Sequence, residues 1–349
     1  MPATYPSGTN TFVPDFDATG RLVVGFSRNP NSFPLNRYIQ IIPVKKTEGL
    51  YLNITAEEAA RLAGSDLQEF DWPDGADSPS GEDGTESFEF LNYRTKRSAY
   101  SVRIGDLAEN QADWEITDQH LAIKAQQAMT ARTMRVIAAL TATGNYDASH
   151  VINVTTLAGN SGSWAASTTA RQDIKRSLNR AAILILQDTL SVVRPEDLHL
   201  VINPNAAAVL SECQEIVDHI KGSPDALAQV RGELPGRNVL FGLPDKLYGY
   251  DLVVEDTVRV TTKKGATTSR SFLWPQATAA LAARPGKLVA PTPNAPNFST
   301  CGLFVYEDDD MTVERRKDVN HRRTEARIVD NNVAKVLAPA SGAVLTNIL

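Results

Sequence analysis

The 349-residue sequence predicts an α+β protein in which a long β-hairpin and a long helix precede a compact, mixed α/β lobe. Three observations carry this. Strand-like runs at Tyr38 to Val44 and Tyr93 to Ile104 flank an acidic insertion. The stretch from Trp114 to Thr143 is the strongest helical pattern in the chain, and from His199 onward short strand and helix signals alternate.

Each element follows from local chemistry. Residues 1–37 carry Pro2, Pro6, Pro14, Pro30 and Pro34 and one short apolar run, Leu22 to Phe26. Such a stretch reads as an extended arm, held by a partner surface or left as a loose tail. Tyr38 to Val44 is β-branched, and Tyr100, Val102 and Ile104 alternate with polar neighbours. Between them Thr55 and Glu58 form a capping box for a short helix to Ala63. The tract from Ser65 to Glu89 then carries Asp66, Glu69, Asp71, Asp74, Asp77, Glu82 and Asp83 with no Lys or Arg. Residues 38–104 therefore read as one long hairpin with an acidic tip. A two-stranded ribbon is not stable alone, so it must lie on its own chain or on another copy.

In the long helix, Leu121, Ala125, Met129, Val136 and Leu140 share a face, Asp113 is the expected N-cap, and Gly144-Asn145 the stop. A second helix is expected from Ser167 to Leu190, ended by Arg194-Pro195. His199 to Asn203 reads as a buried strand, and Pro204 opens a helix to Leu210. Helices at Glu212 to Lys221 and Asp225 to Gly232, and strands at Asp251 to Glu255, Ser271 to Trp274 and Gly302 to Tyr306, complete the lobe. Met311 to Lys335 is strand-like and densely charged.

Composition and motifs exclude several functions. A net charge of -6 argues against wrapping nucleic acid as the main task. No apolar stretch approaches the roughly 20 residues of a membrane helix, and the polar first ten residues read as no secretory signal. Two distant cysteines, Cys213 and Cys301, make no disulfide framework and fit intracellular folding. Gly286-Lys287 lacks the upstream glycine of a phosphate loop. Gly159 to Ser163 has serine where a nucleophile elbow needs its second glycine. The five histidines are not at metal-ligand spacing, and Asp71 to Asp83 does not match a calcium loop. No catalytic residue, cofactor or metal is expected. The basic residues Arg94, Lys96, Arg97, Arg315, Arg316, Lys317, Arg322 and Arg323 suit ion pairing between subunits, with the acidic tip of another copy as partner.

The order of these features resembles the major capsid protein of tailed bacteriophages, the Hong Kong 97-type capsid fold that encapsulin nanocompartments also use. The resemblance rests on the arm (1–37), the hairpin (38–104) and the helix from Trp114. Tyr100 to Leu107 joins hairpin to helix, and Leu200 to Pro204, Phe272 to Pro275 and Ala280 to Gly286 resemble family strands. It implies an extension loop at 38–104 and a peripheral domain with the spine helix at 105–198. An axial domain would follow at 199–306, with strands returning to the periphery at 307–349.

The implied function is structural. Many copies, as pentamers and hexamers, would form an icosahedral shell around double-stranded DNA without reading its sequence. Assembly would occur in the host bacterial cytoplasm, with a scaffolding protein, a portal and decoration proteins as further partners and no membrane. Lys45, Lys46 and Lys96 lie in or beside the hairpin, but no motif assigns a covalent crosslink to them. No long helical N-terminal extension is expected as a built-in scaffold, which implies a separate scaffolding protein or none, unless such a segment was cleaved before Met1. An encapsulin-like compartment is the nearest alternative, and an α/β enzyme within Ser167 to Tyr306 is the alternative from another class.

Overall fold

A computed structural model describes residues 28, 32–54, 74–75, 88–112, 116–160, 162–166, 173–221, 243–263, 265–283 and 299–349. The Leu22 to Phe26 run, the helices expected at Thr55 to Ala63 and Asp225 to Gly232, and the Asp113 cap lie outside these residues.

The first strand, β1 (Gln40–Val44), is followed by β2 (Glu48–Ile54), β3 (Phe88–Arg94) and β4 (Lys96–Gly105). A short α1 (Asp106–Gln111) leads into the long α2 (Ile116–Thr141), whose 26 residues span about 39 Å. Its end differs from the sequence expectation. The backbone leaves helical geometry at Ala142, and the Asn145 side chain donates to the Ala139 carbonyl at 2.8 Å. Gly144 has no left-handed φ; the Asn145 side chain meets the Ala139 carbonyl and its backbone N–H meets that of Ala142 at 3.0 Å.

Next come β5 (Val151–Asn153), α3 (Asp173–Asp188), β6 (Leu198–Ile202), α4 (Pro204–Glu212) and α5 (Gln214–Lys221). α3 stops at left-handed Leu190 and Ser191, with the Ser191 N–H donating to the Leu186 carbonyl at 2.8 Å, before Arg194-Pro195 is reached. Asn203 caps α4 by accepting from the Asn205 N–H at 2.7 Å, with Pro204 in the first turn, as the sequence predicts. The strands β7 (Lys246–Leu247), β8 (Tyr250–Val254), β9 (Val258–Val260), β10 (Arg270–Phe272) and β11 (Thr278–Ala283) follow. The chain closes with β12 (Cys301–Tyr306), β13 (Thr312–Asp318), β14 (Arg323–Val336) and β15 (Ala343–Thr346).

Two sheets organise these elements. The six-stranded sheet has the order β5-β15-β11-β6-β8-β7, and it is buried on both faces. Leu200, Ile202, Leu252, Leu281 and Leu345 point to one side, against Ile174, Leu178 and Ile185 of α3. Val201, Val253, Ala280 and Ala282 point to the other, against Val136, Ile137 and Leu140 of α2 and the segment carrying Phe33, Leu35 and Tyr38. The five-stranded sheet, β1-β12-β14-β13 with β4 also on β14, packs its Ala326 and Ile328 on Leu121 and Ala128 of α2. One end of α2 thus lies on the five-stranded sheet and the other enters the core shared with the second sheet. Cys301–Tyr306 belongs to the five-stranded sheet, while Val151–Asn153 and Ala343–Thr346 belong to the six-stranded one.

The structure corrects the expected hairpin. Tyr38 to Val44 does not pair with Tyr93 to Ile104: β1 runs parallel to β12, and β4 runs antiparallel to β14 from Gly105↔Arg323 to Lys96↔Asn332. The ribbon proper is β2 with β3, in register from Glu48↔Arg94 to Ile54↔Phe88. It leaves the body where the buried Thr95 donates its N–H to the Thr47 carbonyl at 2.8 Å. Met311 to Lys335, strand-like in the sequence, forms a hairpin of β13 and β14. Asp318 accepts from the His321 N–H at 3.3 Å and Arg322 adopts φ 47°, which turns β13 into β14.

Candidate assembly surfaces

The β2–β3 ribbon has two unlike faces because side chains alternate along each strand. One face rests on the body: the Tyr93 ring stacks on Phe304 at 4.6 Å with planes 4° apart, and Tyr51 meets the same ring at 5.5 Å. Gly49 permits this approach, since a Cβ there would lie 2.6 Å from the Tyr93 hydroxyl oxygen. The opposite face carries Leu50, 66% exposed, and Phe90, 63% exposed. The Arg94 guanidinium and the Glu48 carboxylate pair at 2.8 Å at its root. Among the described residues β2 and β3 pair only with each other, so both ribbon edges keep open backbone donors and acceptors. An apolar face between two open edges is a surface built to be covered.

A second surface is the charged outer face of β4, β14 and β13. The register sets rows across three strands: Asp318, Arg323 and Gly105; Arg316, Glu325 and Arg103; Glu314, Arg327 and Ser101. Opposite charges meet along and between the rows. Arg103 pairs with Glu325 at 3.0 Å, and Arg323 with Glu325 at 2.7 Å and Asp318 at 3.2 Å. Arg327 pairs with Glu314 at 2.5 Å. These exposed pairs are individually weak, but their alternation fixes the register of three strands.

This assigns several basic residues picked from the sequence to partners in their own chain. Arg94 pairs with Glu48, Arg97 with Asp309 at 3.0 Å, Arg315 with Asp118, and Arg323 with Asp318 and Glu325. Lys96, Arg316, Lys317 and Arg322 are exposed and have no ion pair among the described residues. Asp74 is exposed beside a left-handed Gly75, whereas Asp66, Glu69, Asp71, Asp77, Glu82 and Asp83 lie outside the described residues.

Beneath these surfaces lie buried polar anchors that the sequence did not reveal. Arg132, on the inner face of α2, donates to Asp330 through Nε at 3.1 Å and Nη2 at 2.5 Å, and to Asp310 through Nη2 at 2.5 Å. Asn332 also donates to Asp330, at 2.5 Å. Burial alone would lower the arginine pKa, but the hydrogen bonds and charges of Asp330 and Asp310 raise it above its ordinary value. In the core packed against α2, the Tyr38 hydroxyl donates to buried Glu255 at 2.7 Å. Burial pushes the Glu255 carboxyl up, against hydrogen bonds from Thr257 and Tyr38 that favour its charged form. A helical position such as 132, polar amid an apolar stripe, is the one sequence signal that could have marked the Arg132 anchor.

Among the described residues no group of three His, Cys, Asp or Glu side chains could hold a metal ion, and no helix is long and apolar enough to cross a membrane. Cys213 and Cys301 are free and buried, and burial pushes their thiols up to about 11 and about 12. A thiol so shifted is a poor nucleophile.

The architecture is thus a β2–β3 ribbon beside a five-stranded sheet, a long helix packed on that sheet, and a second sheet covered on both faces. Among solved structures, the chain is similar to a phage-related protein of Bordetella bronchiseptica RB50. That match has a TM-score of 0.58 and 13% identity, over 89% of this chain and 90% of that one. It is also similar to the capsid structure of the cyanophage P-SCSP1u, with a TM-score of 0.53 and 13% identity over 98% of both chains. The mature capsid of bacteriophage PhiM1 matches with a TM-score of 0.53 and 10% identity, over 97% of this chain and 91% of that one. No family model and no curated protein matches. At these identities the likeness is one of fold: the chain has the Hong Kong 97-type capsid fold.

Proposed function

We propose that this chain is the building block of an icosahedral capsid enclosing the double-stranded DNA of a tailed phage, and that its role is structural. The observation that carries the reading is the β2–β3 ribbon, whose Leu50 and Phe90 stand about two-thirds exposed on a face that no described residue of the same chain covers. A neighbouring copy covers it in a shell. The capsid fold of the solved structures supports the same conclusion.

In this reading the β2–β3 ribbon and the stretch it carries, residues 48–94, supply the extension loop, narrower than the 38–104 that the sequence suggests. The five-stranded sheet with α2 forms the periphery of each pentamer or hexamer, and the six-stranded sheet forms the axial part. The carboxylates from Asp66 to Glu89 meet basic surface on another copy. DNA is enclosed without sequence readout, and a scaffolding protein, portal and decoration proteins act in the host cytoplasm.

Sedimentation of the purified chain, followed by negative-stain microscopy of the fast fraction, tests this. Closed uniform particles are expected, with or without added scaffold. A chain that stays monomeric with scaffold and portal supplied would sink the proposal.

A further inference from the structure

The acidic tract from Asp66 to Glu89 has no basic residue of its own, so in a shell its charge must be met elsewhere. Arg94, Arg97, Arg315 and Arg323 are already paired within the chain, with Glu48, Asp309, Asp118, Asp318 and Glu325. A different place remains open. At the foot of the ribbon a cleft of about 550 Å³ lies between the last turns of α2 and the end of β14, lined by Lys96, Arg135, Asn145, Asn332 and Lys335 beside Tyr51. Three cations converge there, and no carboxylate is among the lining residues.

Lys96 and Lys335 have no ion pair among the described residues. Arg135 is held in place from behind, donating to Asn332 Oδ1 at 2.6 Å and Ser98 Oγ at 2.7 Å, with Asp330 at 4.0 Å. A positioned arginine flanked by two free lysines is a receptor for carboxylates. Tyr51, midway along β2, lines this cleft, and the strand runs on for three residues, about 10 Å, to Ile54. The tract, with no cation of its own, is the charge complement of this carboxylate-free cleft.

We infer that the cleft formed by Lys96, Arg135 and Lys335 receives the acidic tract of a second copy of the chain. This rests on the shell reading and gives it a specific lock between copies. The lock is electrostatic and weakens as salt rises.

The test uses the full-length chain. Particles are assembled from an equal mixture of unlabelled and nitrogen-15-labelled copies. A carbodiimide then joins contacting carboxyl and amino groups as amides with loss of water, and mass spectrometry reads the linked peptides. Lys96 or Lys335 joined to a carboxylate between Asp66 and Glu89 of the oppositely labelled copy is the expected result. Linkage of these lysines only within one label, or only to carboxylates elsewhere, overturns it. So does protection of the lysines from coupling solely in DNA-filled particles, which would assign the cleft to phosphate.

The double variant Lys96→Glu, Lys335→Glu supplies an independent reading. It should raise the concentration needed for assembly at least about tenfold at low salt and much less at high salt. Wild-type assembly at an unchanged threshold with this variant removes the docking and leaves the shell. Failure of the wild-type chain to form particles at all removes both.

Discussion

Replacing Leu50 and Phe90 together by serine strips the outward face of the ribbon while leaving its contact with the body, through Tyr51, Tyr93 and Phe304, in place. Fully burying a Leu or Phe side chain is worth about 1.5–3 kcal/mol relative to exposure. With 66% and 63% of the two residues exposed in the single chain, covering them on a neighbour contributes about 1–2 kcal/mol each, or about 2–4 kcal/mol per copy. At about 1.4 kcal/mol per tenfold, the lower figure alone weakens each ribbon contact about 30-fold. Association costs are common to both proteins and cancel in the comparison.

The assay is light scattering and sedimentation over a concentration series, which locates the assembly threshold. Urea unfolding of the unassembled chain is the control. Because both residues are exposed there, its stability should change by no more than about 0.5 kcal/mol. A threshold unmoved in the variant, with folding intact, would refute the claim that this face is covered in the shell.

Three further outcomes follow from the buried contacts. Arg132→Met should cost about 3 kcal/mol in urea unfolding, because it leaves the buried Asp330 carboxylate with only Asn332 and an Arg135 contact at 4.0 Å; a loss under about 1 kcal/mol would count against that anchor. Gly342→Ala would place a Cβ 2.4 Å from Thr300 Cγ2 and 3.1 Å from the Tyr146 ring, so a destabilisation of about 1–3 kcal/mol is expected in the same measurement.

Glu255→Gln tests the buried carboxyl through its pH dependence. The Glu255 pKa is raised in the fold above the ordinary 4.5, so its protonation favours the folded state. That contribution is full below the unfolded value and is lost as pH rises through the folded one. The wild type should therefore lose stability relative to the glutamine variant as pH rises from about 4.5, and equal pH profiles for the two proteins would contradict this.

Local chemistry made some elements legible. The periodic apolar face of α2, the Asn203–Pro204 start of α4 and the all-apolar β6 are each specified within a few residues, because caps, proline geometry and side-chain period act over one or two turns. The ribbon shows the limit of that logic. Alternation marks 38–44 and 93–104 as strands, yet says nothing about partners. β1 finds β12 some 260 positions away, β4 finds β14, and the hairpin falls to Glu48–Ile54 and Phe88–Arg94. The apolar alternation of Leu50, Leu52 and Ile54 was available as the signal for that strand.

Charge shows the same division. The sequence by itself determined that the acidic tract carries no counter-charge and that basic residues cluster near both strand regions. Only the tertiary structure decided which of those cations are spent. Arg97 meets Asp309 and Arg132 meets Asp330 across about 200 residues, while Lys96 and Lys335 come together at one cleft from about 240 positions apart. Strand pairing and ion pairing are contacts between distant segments. Their energies depend on where the whole core places each backbone, which no local pattern encodes.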